Sequence, residues 1–335
     1  MKKLDVVVIG CGNIFPAHAD AIVENTKSNL LAVVDVDEEK ASEGAEKYKC
    51  KFYIDHHQLL ANEKIDIVHI CTPHYLHAPI AIDFLKAGID VLVEKPLAIN
   101  TASAEQMICA AEKYGRRIGV VFQNRFNKNV LKAQEILSTG RLGKIKGIKG
   151  ILTWYRDEKY YNQSEWRGKF STEGGGVLIN QAIHTLDLMQ LFGGKVIDLK
   201  GHVSTRCLDF IEVEDTADAT FFFESGAVGI FYATNCFSSN SPVHIEIECE
   251  KGRLILDGSD LGLELDDEFQ EFNDDSCNNY KSYWGHSHKT LIDSFYQDIL
   301  EKSNKYIVTA QDGIESLRII EKIYESSKSG KKEKI

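Results

Sequence analysis

The first 122 residues alternate short apolar runs with helical patterns, and this alternation restricts the fold more than any other feature of the chain. Leu4–Ile9 is a continuous β-branched run, which is typical of a strand buried on both faces. Four more strand-like runs follow: Leu30–Val36, Ile65–Cys71, Val91–Val93 and Arg117–Phe122. Helical patterns separate these runs, and two of them end at Gly88 and Gly115 in the C-cap position. Such a β-α-β rhythm predicts an α/β fold with a doubly wound parallel sheet.

The pattern changes near Gln123, where strand-like runs lengthen and follow one another directly. Two pairs of runs are joined by short turns that contain glycine: Ala217–Glu224 with Ala227–Asn235, and His244–Glu250 with Arg253–Asp257. Consecutive hairpins predict an antiparallel or mixed sheet. We therefore divide the chain into a first domain at residues 1–122 and a second, α+β domain at residues 123–335. The acidic stretch Glu264–Asp275 is expected to form a solvated loop or a sheet edge.

Charge and apolar content exclude several classes of partner. The formal net charge of −11 gives a surface that repels phosphate backbones, so we expect no nucleic-acid partner. No apolar stretch is long enough to span a membrane, and the short run Val6–Ile9 predicts a buried strand rather than a signal peptide. The eight cysteines form no CxxC pair, and several, such as Cys71 and Cys109, lie in apolar runs. Free buried thiols are expected, and with them a cytoplasmic location.

A glycine-containing loop, Gly10-Cys11-Gly12-Asn13-Ile14, joins the first strand to the first helix. Gly10 permits a tight turn, and Gly12 lets the backbone approach a pyrophosphate at the helix N-terminus. The third glycine of the usual GxGxxG pattern is replaced by Phe15. Asp35 ends the second strand, where a carboxylate binds ribose hydroxyls and repels the 2′-phosphate of NADP. The loop and Asp35 together predict a Rossmann domain that binds NAD in preference to NADP.

Three further motifs carry a resemblance to a known family. They are Cys71-Thr72-Pro73-His74-Tyr75-Leu76-His77, Glu94-Lys95-Pro96-Leu97-Ala98, and the glycine-rich segment that runs from Gly174 through Asn180 and His184 to Asp187. With the glycine loop, they resemble the glucose–fructose oxidoreductase / inositol dehydrogenase / MocA (Gfo/Idh/MocA) family over essentially the whole chain. The resemblance extends to Gly285-His286-Ser287-His288 and Tyr324-Glu325-Ser326-Ser327.

This resemblance implies a Rossmann domain followed by a domain with an open, mostly antiparallel sheet. It implies NAD or NADP as the cofactor, and sugars, cyclitols or nucleotide sugars as substrates. In many family members the open sheet face forms dimers or tetramers, and the aromatic-rich runs Phe221–Phe223 and Ile230–Tyr232 agree with a homo-oligomer here.

The resemblance also assigns roles to individual residues. The catalytic residues would be Lys95, which polarises the reacting oxygen, His184, which acts as general acid or base, and Asn180. The residues expected to bind the cofactor are Gly10, Gly12, Asn13, Ile14, Asp35, Thr72, Pro73, His77, Glu94 and Lys95. The residues expected to bind the substrate are Lys95, Arg125, Tyr155, Trp166, Arg167, Asn180 and His184.

Asn180 departs from the family pattern, since many members have Asp at this position. An amide exchanges no proton, so we expect no proton relay through a carboxylate and give Asn180 an orienting role. His184 follows four residues later, which would place both side chains on one helix face. No metal site is expected, because the adjacent His56 and His57 should point apart and other histidines lack a third ligand.

Two functions remain as alternatives to a dehydrogenase. One is a non-catalytic NAD(P)-binding sensor or regulator, although Lys95 and His184 are both present, as an enzyme requires. The other is a glycosidase that uses bound NAD for a transient oxidation.

Overall fold

The structure is a computed structural model that describes residues 3–266, 268–272, 287–303, 306 and 308–335. Two features of the sequence lie outside the described residues: Cys277, one of the eight cysteines, and the Gly285-His286 pair of the family motif. The chain forms two compact units, and each is treated separately here. The first unit comprises residues 1–122 and 287–314, and the second comprises residues 123–286 and 315–335.

The described elements follow in chain order. The strands are β1 (Leu4–Ile9), β2 (Ser28–Val34), β3 (Lys51–Tyr53), β4 (Ile67–Ile70), β5 (Asp90–Glu94), β6 (Ile118–Val121), β7 (Ile145–Thr153), β8 (Val196–Ser204), β9 (Thr216–Phe223), β10 (Val228–Thr234), β11 (His244–Cys249), β12 (Gly252–Asp257), β13 (Asp260–Leu265), β14 (Glu268–Phe272) and β15 (Glu333–Lys334). The helices are α1 (Phe15–Glu24), α2 (Glu38–Tyr48), α3 (His56–Asn62), α4 (His74–Lys86), α5 (Thr101–Tyr114), α6 (Lys128–Ser138), α7 (Glu158–Asn162), α8 (Val177–Asn180), α9 (Ile183–Gly193), α10 (His288–Glu301) and α11 (Ala310–Ser329). A short 3-10 helix covers Gln123–Phe126.

The first unit is built on a parallel sheet with the strand order β3-β2-β1-β4-β5-β6. Val6, Val7 and Val8 are fully buried, as the continuous β-branched run predicted for a central strand covered on both faces. The strand order reverses direction between β1 and β4. In such sheets a ligand binds outside the carboxyl ends of the strands at this reversal.

Helix α10 belongs to the first unit, although the sequence analysis placed residues 123–335 in one second domain. It packs against α1, where Lys289 Nζ lies 2.5 Å from Glu24 Oε2. It also covers β6, where Gly119 leaves room for the Phe295 ring; an added Cβ would lie 2.9 Å from that ring. These contacts join residues far apart in sequence, so the alternation of strands and helices could not reveal them.

The second unit is built on a nine-stranded sheet with the order β14-β13-β12-β11-β7-β10-β9-β8-β15. Within the described strands of this sheet, β7 and β10 pair in parallel and the remaining neighbours are antiparallel. Both predicted hairpins form, as β9–β10 and β11–β12. The sheet is therefore mostly antiparallel, as expected.

The two faces of this sheet differ in burial. Phe221 and Phe231 lie on the covered face and are each 1 % exposed. Ile230, one residue before Phe231 on β10, points to the opposite face and is 59 % exposed. In the acidic stretch, Glu264 and Leu265 end β13, and Glu268–Phe272 form β14 at the sheet edge, as expected. Asp267 and residues 273–275 lie outside the described residues.

The cysteines of the described residues are all free. Cys71 and Cys249 are buried as expected, but Cys109 is exposed because it lies on the outward face of α5. No helix within the described ranges is both long enough and apolar enough to cross a lipid bilayer.

Candidate functional site

The loop after β1 has the geometry that a dinucleotide requires. Gly10 has φ +98°, and a Cβ on it would lie 2.6 Å from the carbonyl oxygen of Cys71, so only glycine fits between β1 and β4. A Cβ on Gly12 would meet no atom within 4 Å, so the space beside this backbone is open. Asn13 is exposed and Ile14 is the N-cap of α1. The loop can therefore accept a pyrophosphate against its backbone and the N-terminus of α1.

Asp35 lies directly after β2 and faces this loop. Its Oδ2 accepts a hydrogen bond from the backbone N–H of Cys11 at 2.8 Å, and its Oδ1 accepts one from Asp37 N at 2.9 Å. Each carboxylate oxygen has a second lone pair with which to accept a ribose hydroxyl. Burial, and to a lesser extent the Asp35 carboxylate, raises the pKa of the Cys11 thiol to about 12. This thiol therefore stays protonated at neutral pH.

Phe15, in place of the third glycine, is accommodated by helix α2. Its ring packs edge-to-face on Tyr48 with centroids 5.5 Å apart. Gly44 lies beneath it, and a Cβ there would lie 3.2 Å from the Phe15 ring. Gly44 of α2 thus provides the space for close packing that the third glycine of the loop usually provides, so the incomplete GxGxxG pattern is compatible with the fold.

Two more loops lie at the same carboxyl edge of the sheet. Thr72 and Pro73 follow β4, and Pro73 is the N-cap of α4. The Thr72 hydroxyl is buried and finds no hydrogen-bond partner among the described atoms. Glu94 ends β5 and Lys95 follows it, half-buried. The predicted cofactor residues of this unit are therefore brought together on three neighbouring loops, with Asp35 on a fourth.

The His77 side chain connects two of these loops. It is fully buried, with Nδ1 2.7 Å from the Pro96 carbonyl oxygen and Nε2 3.0 Å from the Thr72 carbonyl oxygen. Burial lowers the pKa of this imidazole. Both ring nitrogens face backbone carbonyls, so His77 holds the two loops together, and its contact with the cofactor stays a prediction.

A buried chain of polar side chains lies behind Glu94, and no motif or periodicity predicts it. Glu94 Oε1 is 2.9 Å from His18 Nε2, His18 Nδ1 is 2.9 Å from His69 Nδ1, and His69 Nε2 is 2.8 Å from the Tyr296 hydroxyl. Both histidines are fully buried, and burial holds the pKa of His69 well below its usual value. We call these four residues the Glu94 chain.

Burial by itself raises the pKa of the Glu94 carboxyl. The hydrogen bond and charge of His18, together with the charges of His288 and Lys95, outweigh burial and lower that pKa to about 2. Glu94 is therefore a carboxylate at neutral pH, and its Oε2 accepts the backbone N–H of Lys95 at 3.2 Å. The Glu94 chain therefore holds the backbone of Lys95 in place through this hydrogen bond.

In the second unit the glycine-rich segment folds against Glu214 and Tyr324. A Cβ on Gly176 would overlap the Glu214 carbonyl oxygen, and one on Gly175 would overlap the Tyr324 hydroxyl. The Glu214 carboxylate accepts the N–H groups of Gly176 and Leu178 at the start of α8. The glycines are thus required by close packing, and they bring Asn180 to the end of a short helix.

Asn180 and His184 do not share one helix. Asn180 ends α8, His184 lies in α9, and a two-residue turn separates the helices. The expected single helix face is therefore wrong, because the chain turns after the short α8. Arg125 forms a bidentate ion pair with Asp187 of α9, with Nη2 2.6 Å from Oδ1 and Nε 2.9 Å from Oδ2. This buried pair connects the 3-10 helix to α9.

The Asn180 side chain belongs to a cluster that the sequence analysis missed. Its Nδ2 donates to Glu173 Oε1, and to the Tyr160 hydroxyl at 3.3 Å. The Tyr160 hydroxyl also accepts Gln181 Nε2 at 3.0 Å. We call Tyr160, Glu173, Asn180 and Gln181 the Asn180 cluster. Glu173 directly precedes the glycines, and no spacing rule singles it out.

The Glu173 carboxyl is almost completely buried, with 1 % of the residue exposed. Burial raises its pKa to about 7, although the N–H of Gly168, the Asn180 amide and the Arg167 charge act in the opposite direction. Gly168 N lies 2.5 Å from Glu173 Oε2. The Asn180 cluster thus contains a carboxyl whose pKa lies near neutrality, in direct contact with the Asn180 amide.

The aromatic and basic residues before the glycine-rich segment are placed differently from one another. The Arg167 guanidinium lies 4.3 Å from the centroid of the Tyr160 ring and 5.3 Å from that of Trp166. Tyr155 is 50 % exposed. Trp166 and Arg167 therefore adjoin the Asn180 cluster, whereas Tyr155 lies on an open surface.

His56 and His57, at which no metal site is expected, lie close together. The rings of His56 and His57 lie 4.0 Å apart at the start of α3, so the expectation that they point apart is wrong. Their nitrogens and an Asp55 oxygen lie within 4.8 Å of one another. Asp55 already caps α3 by accepting the N–H of His57.

Comparisons with known proteins agree with this geometry. Residues 4–122 match the family described as an oxidoreductase family with an NAD-binding Rossmann fold, and residues 130–255 match a Gfo/Idh/MocA C-terminal domain. The chain is 28 % identical to myo-inositol 2-dehydrogenase of Thermotoga maritima, over 75 % of this chain and 74 % of that relative. It is 29 % identical to D-glucoside 3-dehydrogenase of Escherichia coli, over 71 % and 72 %.

Two further matches differ in coverage. The match to a 1-carboxy-3-chloro-3,4-dihydroxycyclohexa-1,5-diene dehydrogenase of Comamonas testosteroni, at 30 % identity, spans 58 % of this chain and only 49 % of that relative. The crystal structure of the WlbA dehydrogenase from Bordetella pertussis, a complex with NADH and UDP-GlcNAcA, superimposes with a TM-score of 0.87 at 26 % identity, over 100 % of this chain and 99 % of that one. The chain therefore belongs to the Gfo/Idh/MocA family and is an oxidoreductase with an NAD-binding Rossmann domain.

Proposed function

We propose that this protein transfers a hydride between a secondary alcohol of a sugar, cyclitol or nucleotide sugar and NAD. The observation that carries the proposal is the convergence of the Gly10–Gly12, Thr72–Pro73 and Glu94–Lys95 loops at the carboxyl ends of β1, β4 and β5. Lys95 follows β5, one strand from the reversal point of a nucleotide-binding sheet, and a lysine at this carboxyl edge can supply the positive charge that a reacting oxygen needs. The names of the relatives support this substrate class, since they include an inositol, a glucoside and a UDP-sugar enzyme or complex.

The first unit has groups that suit each part of the cofactor. The backbone from Gly10 to Ile14 would hold the pyrophosphate, and Asp35 would hold the adenosine ribose. Thr72 and Pro73 would line the path toward the nicotinamide, and the buried Thr72 hydroxyl would gain a partner there. When bound, NAD supplies the hydride acceptor.

The protein's own residues then handle the oxygen and its proton. Lys95 donates to the reacting oxygen and stabilises alkoxide character. His184 takes the hydroxyl proton during oxidation and returns it during reduction, because an imidazole titrates near neutral pH. Lys95 is assigned the electrostatic role, since a lysine loses its proton near neutrality only when desolvated or placed beside another cation.

The remaining predicted residues bind and orient the substrate. Asn180 would orient a hydroxyl next to the reacting carbon, and Trp166 and Tyr155 would stack on a sugar ring. Arg167 would contact an anionic substituent, as a guanidinium does with a carboxylate or phosphate. Arg125, which is held by its ion pair with Asp187 of α9, would contact the substrate from that position.

We also propose that the protein acts in the cytoplasm as a homodimer or homotetramer. The free thiols of the described cysteines suit a reducing compartment. The outer face of the large sheet carries Ile230, 59 % exposed, and Val228, 39 % exposed, which a second copy would cover.

The test is a panel of myo-inositol, aldoses, methyl glucosides and UDP-sugars with NAD, followed by NADH absorbance. At least one compound should reduce NAD, and His184→Ala and Lys95→Ala should each lower kcat by about 10² to 10⁴. His202→Ala and Lys27→Ala, at exposed sites of β8 and of the loop before β2, are matched controls that should retain the parent rate. The proposal fails if the parent binds NAD but reduces it with none of the compounds, or if both alanine variants keep full activity.

A further inference from the structure

The Asn180 cluster contains an ionisable group that the proposed mechanism has not used. Glu173 has two carboxylate oxygens, and both have partners inside the second unit. Oε2 accepts the N–H of Gly168 at 2.5 Å, and Oε1 accepts Nδ2 of Asn180. The side chain is anchored by the backbone at one oxygen and acts on Asn180 with the other.

An ionised carboxylate only accepts hydrogen bonds, so the atom of the Asn180 amide that faces it must be the nitrogen. The second hydrogen of that nitrogen is directed to the Tyr160 hydroxyl, 3.3 Å away. The remaining polar atom of the amide is Oδ1, which is an acceptor. Reversing the amide would set two acceptor oxygens against each other in a buried space, which is costly where the dielectric constant is low.

We propose that Glu173 is a positioning residue that fixes the orientation of the Asn180 amide, so that Asn180 presents Oδ1 and selects a substrate hydroxyl that donates. This inference rests on the proposed function, because it assumes that Asn180 contacts the substrate. It leaves the expectation of no proton relay through Asn180 in place and adds a carboxylate that orients the Asn180 amide. This carboxylate belongs to Glu173, the residue before the glycines, and it accepts a hydrogen bond from the Asn180 amide.

The same geometry gives the site a pH dependence. Below neutrality Glu173 gains a proton and can donate to Oδ1, so the reversed amide, which presents its N–H, becomes accessible. Among the described residues, the titratable and charged groups that interact with this carboxyl include Tyr160 and Tyr161 of α7, Arg167 of the following loop, Glu214 before β9 and Tyr324 of α11. Arg167 favours the ionised form and Glu214 opposes it.

The orientation can be tested without a substrate. Protein labelled with ¹⁵N in asparagine is titrated across neutral pH by NMR, and the Asn180 side-chain signal is assigned by its loss in Asn180→Ala. The parent signal should shift with a midpoint near the Glu173 pKa of about 7. The shift should persist in Tyr160→Phe, which keeps the carboxylate, and vanish in Glu173→Gln. An Asn180 signal that does not respond to Glu173→Gln overturns the proposed contact.

Selectivity tests the functional half. Myo-inositol, a methyl glucoside and UDP-GlcNAcA are each compared with analogues in which one hydroxyl is replaced by fluorine, which cannot donate a hydrogen bond. At one ring position the parent should favour the hydroxyl in KM by about tenfold, and Glu173→Gln should lose most of that preference with a smaller effect on kcat. Adding Asn180→Asp to Glu173→Gln returns a carboxylate acceptor to the site and should restore the preference.

The outcomes separate this inference from the proposed function. If no compound reduces NAD in the parent, the proposed function fails, and the NMR titration alone supports or overturns the Glu173 contact. If the parent is active and Glu173→Gln keeps the full hydroxyl preference, the positioning role is wrong while the dehydrogenase function stands. A Glu173→Gln variant that does not fold is replaced by Glu173→Asp, whose shorter carboxylate should withdraw from Asn180 and show the same loss.

Discussion

Replacing His18 with alanine should reverse the way in which the stability of the first unit depends on pH. In the parent, the fall of the Glu94 pKa from its ordinary value of 4.5 to about 2 corresponds to about 3 kcal/mol at about 1.4 kcal/mol per unit. A depressed carboxyl pKa stabilises the fold above the unfolded value of about 4.3, and the contribution is lost as the pH falls toward 2.

His18→Ala removes the hydrogen bond and the charge that oppose burial, so the Glu94 pKa should rise above its ordinary range. The folded state then favours the protonated acid, and stability should fall as the pH rises from about 4.3 toward neutrality. Leaving one member of a buried pair without its partner costs about 3 to 5 kcal/mol. Since Glu94→Gln carries no charge, His18→Ala in that background should cost about 3 kcal/mol less than it does alone.

The assay is urea unfolding at several pH values, with hydrogen exchange of the β1 and β4 amides reporting on the first unit. Separate reporting is needed because two units need not unfold together. Glu24→Gln, which breaks an exposed ion pair with Lys289, is the matched control and should change stability by less than about 1 kcal/mol. Additive effects of His18→Ala and Glu94→Gln, or an unchanged pH slope in His18→Ala, would refute the reasoning.

Three other consequences can be checked directly. The parent should prefer NAD over NADP by tenfold or more in kcat/KM, because the Asp35 carboxylate and the 2′-phosphate of NADP are like charges, which repel by up to about 4 kcal/mol when about 4 Å apart near a surface. Asp35→Ser should narrow this preference. Equal use of both cofactors by the parent contradicts this. Gly176→Ala should destabilise the second unit by about 1 to 3 kcal/mol or more in thermal unfolding, because its Cβ would overlap the Glu214 carbonyl, whereas Gly147→Ala, with 3.5 Å of clearance, should cost less. Sedimentation should show an oligomer that Ile230→Asp shifts toward the 37.7 kDa chain, and a parent that sediments only as that monomer rules out the oligomer.

The features that the sequence predicts are those with a local period or a short motif. The β-branched run before Gly10 and the glycine-containing hairpin turns each specify an element from a few adjacent residues. The motif around Lys95 and the segment from Gly174 to His184 are also continuous in sequence. These features were enough to predict the two kinds of sheet and to place Lys95 directly after a strand of the parallel sheet.

The features that the sequence does not reveal depend on contacts between distant residues. Helix α10 has an ordinary amphipathic pattern, and only its contact with Gly119 and α1 assigns it to the first unit. Gly44 compensates for Phe15 from another helix. The Glu94 chain joins four elements, and no periodicity connects its members.

The central claim, that His184 exchanges the proton while Lys95 holds the oxygen, is tested most directly by the pH profile of kcat/KM for alcohol oxidation. The parent should show an acidic limb in the range where histidines titrate, since only the neutral imidazole accepts the hydroxyl proton. Glu173→Gln is measured beside it, so that the second ionisable group near neutrality is accounted for, and it should retain the limb. The account predicts that the limb disappears in His184→Ala. A limb that survives in His184→Ala would contradict it and make Lys95 the proton carrier.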